Sequence, residues 1–344
     1  MDLKSMTLEE LEACMVSLRE PKFRAKQIYE WMHKHLAFSW EEMGNIPKKL
    51  KEKLRQNGYE MYGVKKIDCL ISKLDGTRKY LFELHDGNII ESVLMKYKHG
   101  NSVCISSQAG CRMGCRFCAS TLGGLDRNLE PSEMLSQIYF IQKDTGERVS
   151  NVVMMGTGEP LDNYENVLRF LELITSEKGL NISQRNLTIS TCGIVPKIRE
   201  LAEEHLQITL AISLHAPNDE KRKELMPIAK QYAMDELLEA CRYYFKKTNR
   251  RMTFEYSLVA GVNDQPENAG ELCRRLKGFP CHVNLIPVNP IKERNFRQSL
   301  PESIMEFKKI LEKNCINVTI RREMGADINA ACGQLRRTKL QSIK

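Results

Sequence analysis

The period of apolar positions changes twice along this chain of 344 residues. Over residues 1–60 it is helical. Thr7 with Glu10 three positions later is a capping-box signature, and Leu8, Leu11, Met15 and Leu18 then fall on one face. The spacing predicts a second helix over about 24–35, a third short one capped by Ser39 and Glu42, and a fourth after Pro47, since proline suits the first helical turn. Trp31 and Trp40 are the expected core of this small helical domain, which is rich in Lys and Arg.

Between residues 61 and 100 the runs shorten. Segments 67–74, 79–84 and 89–95 read as strands punctuated by Asp75-Gly76 and Asp86-Gly87, and Asp-Gly between such runs signals a hairpin. An antiparallel extension is expected here. From 101 to 322, strand-like runs at 103–106, 151–155, 186–191, 208–214, 251–258, 282–287 and 318–321 alternate with helical patterns such as 131–146, 163–177 and 234–248. Strand, helix, strand in series specifies a parallel sheet with crossover helices. The fold class is therefore α/β, a partial (β/α)6 barrel with a helical domain before it and a loop with a basic tail, 323–344, after it. In such barrels chemistry gathers at the C-terminal ends of the strands.

Composition narrows the setting. No run of about 18 apolar residues occurs, so no membrane span is expected. The first residues, Met-Asp-Leu-Lys-Ser-Met-Thr-Leu-Glu-Glu, lack the basic-then-apolar form of a signal peptide. A cytoplasmic protein is expected, and its 12 cysteines are then read as thiols rather than a disulfide scaffold. The net charge of +8 is compatible with a polyanionic partner. Its excess gathers in Lys48, Lys49, Lys51, Lys53 and Arg55, and again in Arg336, Arg337, Lys339 and Lys344, although either run alone fits a solvated helix face.

Candidate chemistry centres on Cys111-Arg-Met-Gly-Cys115-Arg-Phe-Cys118. Thiolates bind soft metals, and this spacing lets one loop wrap one metal centre. A structural zinc site closes with four ligands; three cysteines on a four-iron cluster leave one iron open. A zinc site completed by a distant Cys or His, or three unrelated buried thiols, stands as the alternative on the loop alone. Other strand ends carry Gly158-Glu159-Pro160, then Ser190-Thr-Cys192-Gly, then Ser213-Leu214-His215, and lastly Asn289 between Val288 and Pro290. Glycines let a ligand approach the backbone, and a carboxylate accepts from an ammonium group. Four polar strand ends in series predict one shared small-molecule pocket. Cys104, seven residues before the loop, and Cys332, between Gly325 and Gly333 in sequence, are two further thiols of interest; a cysteine in a glycine-flanked loop is a candidate reactive group.

The segments Val103-Cys-Ile-Ser-Ser-Gln-Ala-Gly-Cys111 through Cys118-Ala-Ser, Gly158-Glu-Pro, Ser213-Leu-His-Ala-Pro-Asn and Ala330-Ala-Cys332-Gly-Gln-Leu-Arg resemble the RlmN/Cfr family of radical S-adenosylmethionine (SAM) RNA methyltransferases over nearly the whole chain. Gly-Glu-Pro and the stretch 119–128 look more like the adenine-C2 branch than the branch that methylates adenine C8. The resemblance implies that Cys111, Cys115 and Cys118 hold a [4Fe-4S] cluster whose open iron chelates SAM. Gly158, Glu159, Ser190, Ser213, Leu214, His215 and Asn289 would bind SAM, two molecules being used per turnover. Cys332 would accept a methyl group from one SAM, and a 5′-deoxyadenosyl radical from the other would abstract hydrogen from it. The resulting carbon radical would add to adenine C2, and Cys104 would release the product by forming a disulfide with Cys332. Glu91 matches a position implied to accept a proton. The implied partners are 23S rRNA and tRNA, with flavodoxin or ferredoxin as electron donor and a monomeric enzyme. A zinc-containing RNA-binding module without catalysis is the reading from a different class.

Overall fold

One sheet joins the antiparallel and parallel parts of the chain. The computed structural model describes residues 1–289 and 294–330. Strands β1 (Lys65–Ile71), β2 (Arg78–Glu83), β3 (Ile89–Tyr97) and β4 (Gly100–Cys104) pair antiparallel in sequence order. A small hairpin of β5 (Gln108–Gly110) and β6 (Leu125–Asn128) stands apart. From β4 the main sheet continues in parallel through β7 (Val149–Met154), β8 (Leu187–Thr191), β9 (Thr209–Ser213), β10 (Met252–Leu258), β11 (Cys281–Pro287) and β12 (Asn317–Ile320). The six parallel pairings among the described residues match a (β/α)6 arrangement. The antiparallel strands are more than an appendage: β3 occupies the edge of β4, so the ten-stranded sheet runs from β1 to β12 without closing on itself.

Helices α1 (Leu8–Ser17), α2 (Phe23–His33) and α3 (Lys48–Gln56) precede the sheet. Thr7 and Glu10 cap α1 reciprocally, as their spacing predicts. The expected helix after Ser39 does not form. Glu42 instead accepts from the Phe38 backbone N–H at 3.1 Å and from Lys143, which holds the segment in turns. Trp40 is buried, while Trp31 is half-exposed and donates to Asn45 Oδ1 at 2.5 Å. The helices pack on α4 (Pro131–Thr145), the first crossover, where His33 Nδ1 meets the Tyr139 hydroxyl at 2.8 Å. Phe140 meets Phe38, Tyr80 and Phe82 edge-on, centroids 5.9, 6.4 and 5.3 Å away, so one helix face ties the N-terminal helices to β2.

The later crossovers are α5 (Tyr164–Thr175), α6 (Val195–Glu203), the pair α7 (Asp219–Leu225) and α8 (Met234–Thr248), α9 (Pro266–Leu276) and α10 (Pro301–Lys313). After β12 the chain returns across the turn between β1 and β2. Gly325 N–H donates to Asp75 Oδ2 at 2.9 Å, Lys73 N–H to Asp327 Oδ2 at 2.9 Å, and Lys79 Nζ to the Asn329 carbonyl at 3.0 Å. This return brings residues 321–330 over the C-terminal ends of the strands.

Candidate active site

Parallel strands deliver their C-terminal residues to one rim, and there a cavity of about 340 Å3 opens. Glu91 and Cys104 lie on its β3–β4 side, Cys111, Cys115 and Cys118 on the loop above, and Gly158, Glu159, Ser190, Ser213, His215 and Asn289 on the successive strand ends. Leu214 alone among the expected residues within the described chain points away; its side chain is fully buried in the core, and its N–H donates to the Glu255 carbonyl at 3.0 Å. Cys332, with the basic tail, lies outside the described residues. Ala330 lines the cavity and packs with Cys104, Val93 and Met95.

The cysteine loop is held at both ends. Cys111 N–H donates to the Gly124 carbonyl at 2.7 Å, and the loop is pinched by the β5–β6 hairpin. Gly110 makes the pinch possible: its φ is +82°, and a Cβ there would lie 2.1 Å from the Gly124 oxygen. Arg112 forms a two-pronged ion pair with Asp162, and Arg116 N–H donates to the Leu225 carbonyl at 2.9 Å. All three thiols are free and raised by burial, Cys111 to about 12. Among the described residues no three Cys, His, Asp or Glu side chains converge on one ion. A single zinc ion needs that convergence. A cuboidal cluster places each thiolate on its own iron and does not, so the three thiols around one cavity, Cys111 and Cys115 buried and Cys118 partly so, fit the latter.

Glu159 is the most constrained anion. Its Oε2 accepts from Cys192 N–H at 2.7 Å and Oε1 from Leu161 N–H at 3.0 Å, while its own N–H donates to Gln108 Oε1 at 2.8 Å. Burial raises the carboxyl, and the two N–H donors pull it partly back. Gly158 precedes it at φ +112°, where a Cβ would lie 2.6 Å from that of Gln108. His215 also has a positive φ, +54°. Its Nδ1 accepts from Ser257 N–H at 2.9 Å, which leaves the proton on Nε2, and its ring stands edge-on to Phe117 at 4.7 Å. Burial, helped by the Arg222 charge, lowers the imidazole to about 3, so it is neutral.

On the far side Glu91 is buried beside Lys79, carboxylate to ammonium 3.3 Å. Ser106 Oγ donates to the Glu91 carbonyl at 2.7 Å and accepts from Thr157 N–H at 3.0 Å, linking β3 to the Gly-Glu-Pro turn. The Cys104 thiol is raised by burial. Sequence reasoning passed over Glu255 and Arg222. Glu255, on the fifth parallel run, lines the cavity; burial raises it, and Arg321 and Asn284 Nδ2, at 2.9 Å, oppose that. An acid inside the apolar run Phe254-Glu255-Tyr256 was its signal. Cys192 lines the cavity too. Arg222 is fully buried behind it.

Comparison with known proteins agrees with this geometry. Residues 105–273 match the model of the radical SAM superfamily, and residues 1–59 that of the ribosomal RNA large subunit methyltransferase N-terminal domain. The chain is 63% identical over 337 residues to a probable dual-specificity RNA methyltransferase RlmN of Lachnoclostridium phytofermentans, covering 98% of this chain and 94% of that protein. It is 58% identical to the like-named protein of Clostridium novyi, with 99% of each covered. A crystal structure of a radical SAM methyltransferase from Sphaerobacter thermophilus superposes with a TM-score of 0.93 at 43% identity, covering 97% of this chain and 98% of that one. This kinship implies a [4Fe-4S] cluster, SAM and an RNA substrate, and it replaces the non-catalytic zinc-module reading with an enzyme. Among the described residues no helix is long and apolar enough to cross a membrane.

Proposed function

The chain belongs to the RlmN family of radical SAM RNA methyltransferases, and from that premise we propose that it methylates adenine C2 in 23S rRNA, at a peptidyl-transferase-centre adenosine, and in tRNA, at the adenosine 3′ of the anticodon. The observation that carries the proposal is the shared cavity: the three-thiol loop, the Glu159 and His215 strand ends, Cys104, Glu91 and the segment leading toward Cys332 all border it. Adenine C2 is electron-poor, and so is the methyl carbon of SAM; direct displacement between them is badly matched. A radical route resolves the mismatch and needs two kinds of thiol.

Cys111, Cys115 and Cys118 are the ligands for the cluster. When bound, cluster and SAM supply a methyl group and, after one-electron reduction, a 5′-deoxyadenosyl radical. Gly158 and Glu159 would hold the SAM amino group, and Ser190, Ser213, His215 and Asn289 the rest of it. Leu214 contributes its backbone only, since its side chain lies in the core. Neutral His215, with Nε2 carrying the proton, is a hydrogen-bond donor toward the cavity. Cys332 takes the methyl group, its sulfur being the nucleophile. Cys104 then breaks the protein–RNA link by forming a disulfide with Cys332, and the packing of Ala330 beside Cys104 supports that pairing. Glu91 accepts the C2 proton, oriented by Lys79. Two SAM molecules are used per turnover, and flavodoxin or ferredoxin supplies the electron. The exposed Lys48, Lys49 and Arg55 of α3 suit phosphate contacts. The enzyme works as a cytoplasmic monomer on unstacked bases.

The test is product analysis. RNA treated with the reconstituted enzyme is digested to nucleosides and compared with 2-methyl- and 8-methyladenosine standards. The expected product is 2-methyladenosine; 8-methyladenosine alone would overturn the proposal. Cys104→Ala should accumulate a covalent protein–RNA adduct and Cys332→Ala should not.

A further inference from the structure

Helix α7 reads as a solvated charge run, Asp219-Glu-Lys-Arg222-Lys-Glu. Arg222 departs from that reading: its side chain is fully buried. Nη2 donates to the Cys192 carbonyl at 2.7 Å. Nε and Nη1 have no hydrogen-bond partner, and the guanidinium forms no ion pair with a carboxylate among the described residues. Asp219, the acid of its own helix that acts on it electrostatically, is engaged in accepting Met234 N–H at 2.8 Å.

What surrounds Arg222 is the underside of the cysteine loop. The last residue of α7, Leu225, accepts from Arg116 N–H, and Pro227 lies 3.4 Å from where a Cβ of Gly114 would be. Leu225 and Met226 pack with Cys115 and Cys192 in one buried cluster. A guanidinium without an anion is costly in such a place. A four-iron cluster held by three thiolates carries one net negative charge when oxidised and two when reduced, and net charge is among the determinants of its potential.

We infer that Arg222 is the fixed counter-cation of the iron–sulfur centre and favours its reduced state. This rests on the cluster assignment to Cys111, Cys115 and Cys118. The step it biases is a one-electron transfer: a one-electron donor is oxidised, the electron enters the cluster, and no proton is taken up. Arg222 offsets part of the added charge through space and touches neither SAM nor RNA, so it is a positioning residue in the electrostatic sense and not a catalytic one.

The test uses full-length protein reconstituted anaerobically with iron and sulfide. The cluster is titrated with dithionite in the presence of redox mediators and followed by electron paramagnetic resonance, without RNA. In Arg222→Met the reduced-to-oxidised ratio at fixed potential should fall about tenfold, a shift of about 59 mV to more negative potential for a one-electron couple. Arg222→Lys should keep most of the wild-type value. A wild-type midpoint in Arg222→Met at full iron content overturns the inference. So does an Arg222→Lys shift as large as that of Arg222→Met, which would make packing the cause. If Arg222→Met does not fold, Arg222→Gln against Arg222→Lys decides on the same criteria. A wild-type protein that takes up no iron would sink the cluster assignment itself, and that failure is distinct from an unshifted midpoint.

Discussion

Lys4 and Arg222 are both completely buried, each at an interface, and the two interfaces treat their cation differently. Where the N-terminal helices meet α4, Lys4 donates to Ser136 Oγ at 3.3 Å and sits 4.6 Å over the Phe38 ring, with Asp2 and Glu42 in electrostatic reach. Burial lowers its ammonium to about 8, which still leaves it mostly charged at neutral pH. Behind the strand-end cavity, Arg222 has one backbone carbonyl, that of Cys192. The first interface is complete with protein groups and serves the fold. The second keeps charge oriented toward a guest, and that is how an active site differs from a core. Breaking each should therefore read out in different measurements.

The largest effect belongs to the guest site. Cys115→Ala removes a cluster ligand, so iron content should fall sharply and methyl transfer drop by about three orders of magnitude or more. Metal analysis beside an RNA methylation assay checks both. Lys4→Met should leave iron content and turnover intact and change only thermal stability; a Lys4→Met enzyme that loses iron would blur the distinction drawn here.

Lys79 and Glu91 form a third case, a cation with its anion beside it. Lys79→Met removes the cation 3.3 Å from the buried Glu91 carboxylate and should cost about 3–5 kcal/mol of stability. The double variant Lys79→Met with Glu91→Gln should recover much of that, since neither side chain of the pair is then charged, yet stay impaired in methyl transfer if Glu91 accepts the proton. Chemical denaturation gives the first quantity and single-turnover rates the second. Full activity in the double variant would remove Glu91 from the chemistry.

Glu159→Gln probes the other anion. The carboxylate accepts two backbone N–H groups, and an amide can accept only one of them without setting donor against donor. Stability should fall by about 1–3 kcal/mol. SAM affinity should weaken about tenfold or more, measured by equilibrium dialysis on the reconstituted enzyme.

These residues differ in how far the sequence announces them. Glu159 is legible because glycines and an acid interrupt an apolar run at a strand end, a place where the fold class already puts chemistry. The spacing of the cysteine loop marks it as a candidate metal site, and only the resemblance over the rest of the chain narrows that to a cluster loop. Arg222 is not legible, because the five other charges of α7 make the helix look solvated, and only its packing beneath the loop reveals that Arg222 faces inward. Ser39 with Glu42 errs in the opposite direction: the local signature is good, but Glu42 finds Phe38 N–H and Lys143 instead of a helix end. The short β5–β6 hairpin is invisible to periodicity, since three or four residues carry no period. Local chemistry was readable where the backbone element fixed its direction. It was unreadable where a partner distant in sequence chose the conformation.

The smallest effect returns to the N-terminal interface and tests whether it is as self-contained as it looks. His33 is fully buried, bonded through Nδ1 to Tyr139, and lowered from its usual range to about 3, first by burial and then by the Lys4 charge. In the unfolded chain the imidazole takes a proton near pH 6.5, whereas in the folded protein it does so only near 3. Between those values the unfolded state binds more protons, so stability must fall as pH drops through the window. The slope from this one group approaches about 1.4 kcal/mol per pH unit, or about 2 kcal/mol between pH 6.5 and 5. Carboxylates titrate lower and add to the wild-type slope, so the comparison is with His33→Gln. That variant should be less stable at pH 7 but flatter from pH 6.5 to 5, by denaturation monitored in the near ultraviolet. An unchanged slope would mean that His33 finds a proton without unfolding, and that the interface opens more readily than its packing implies.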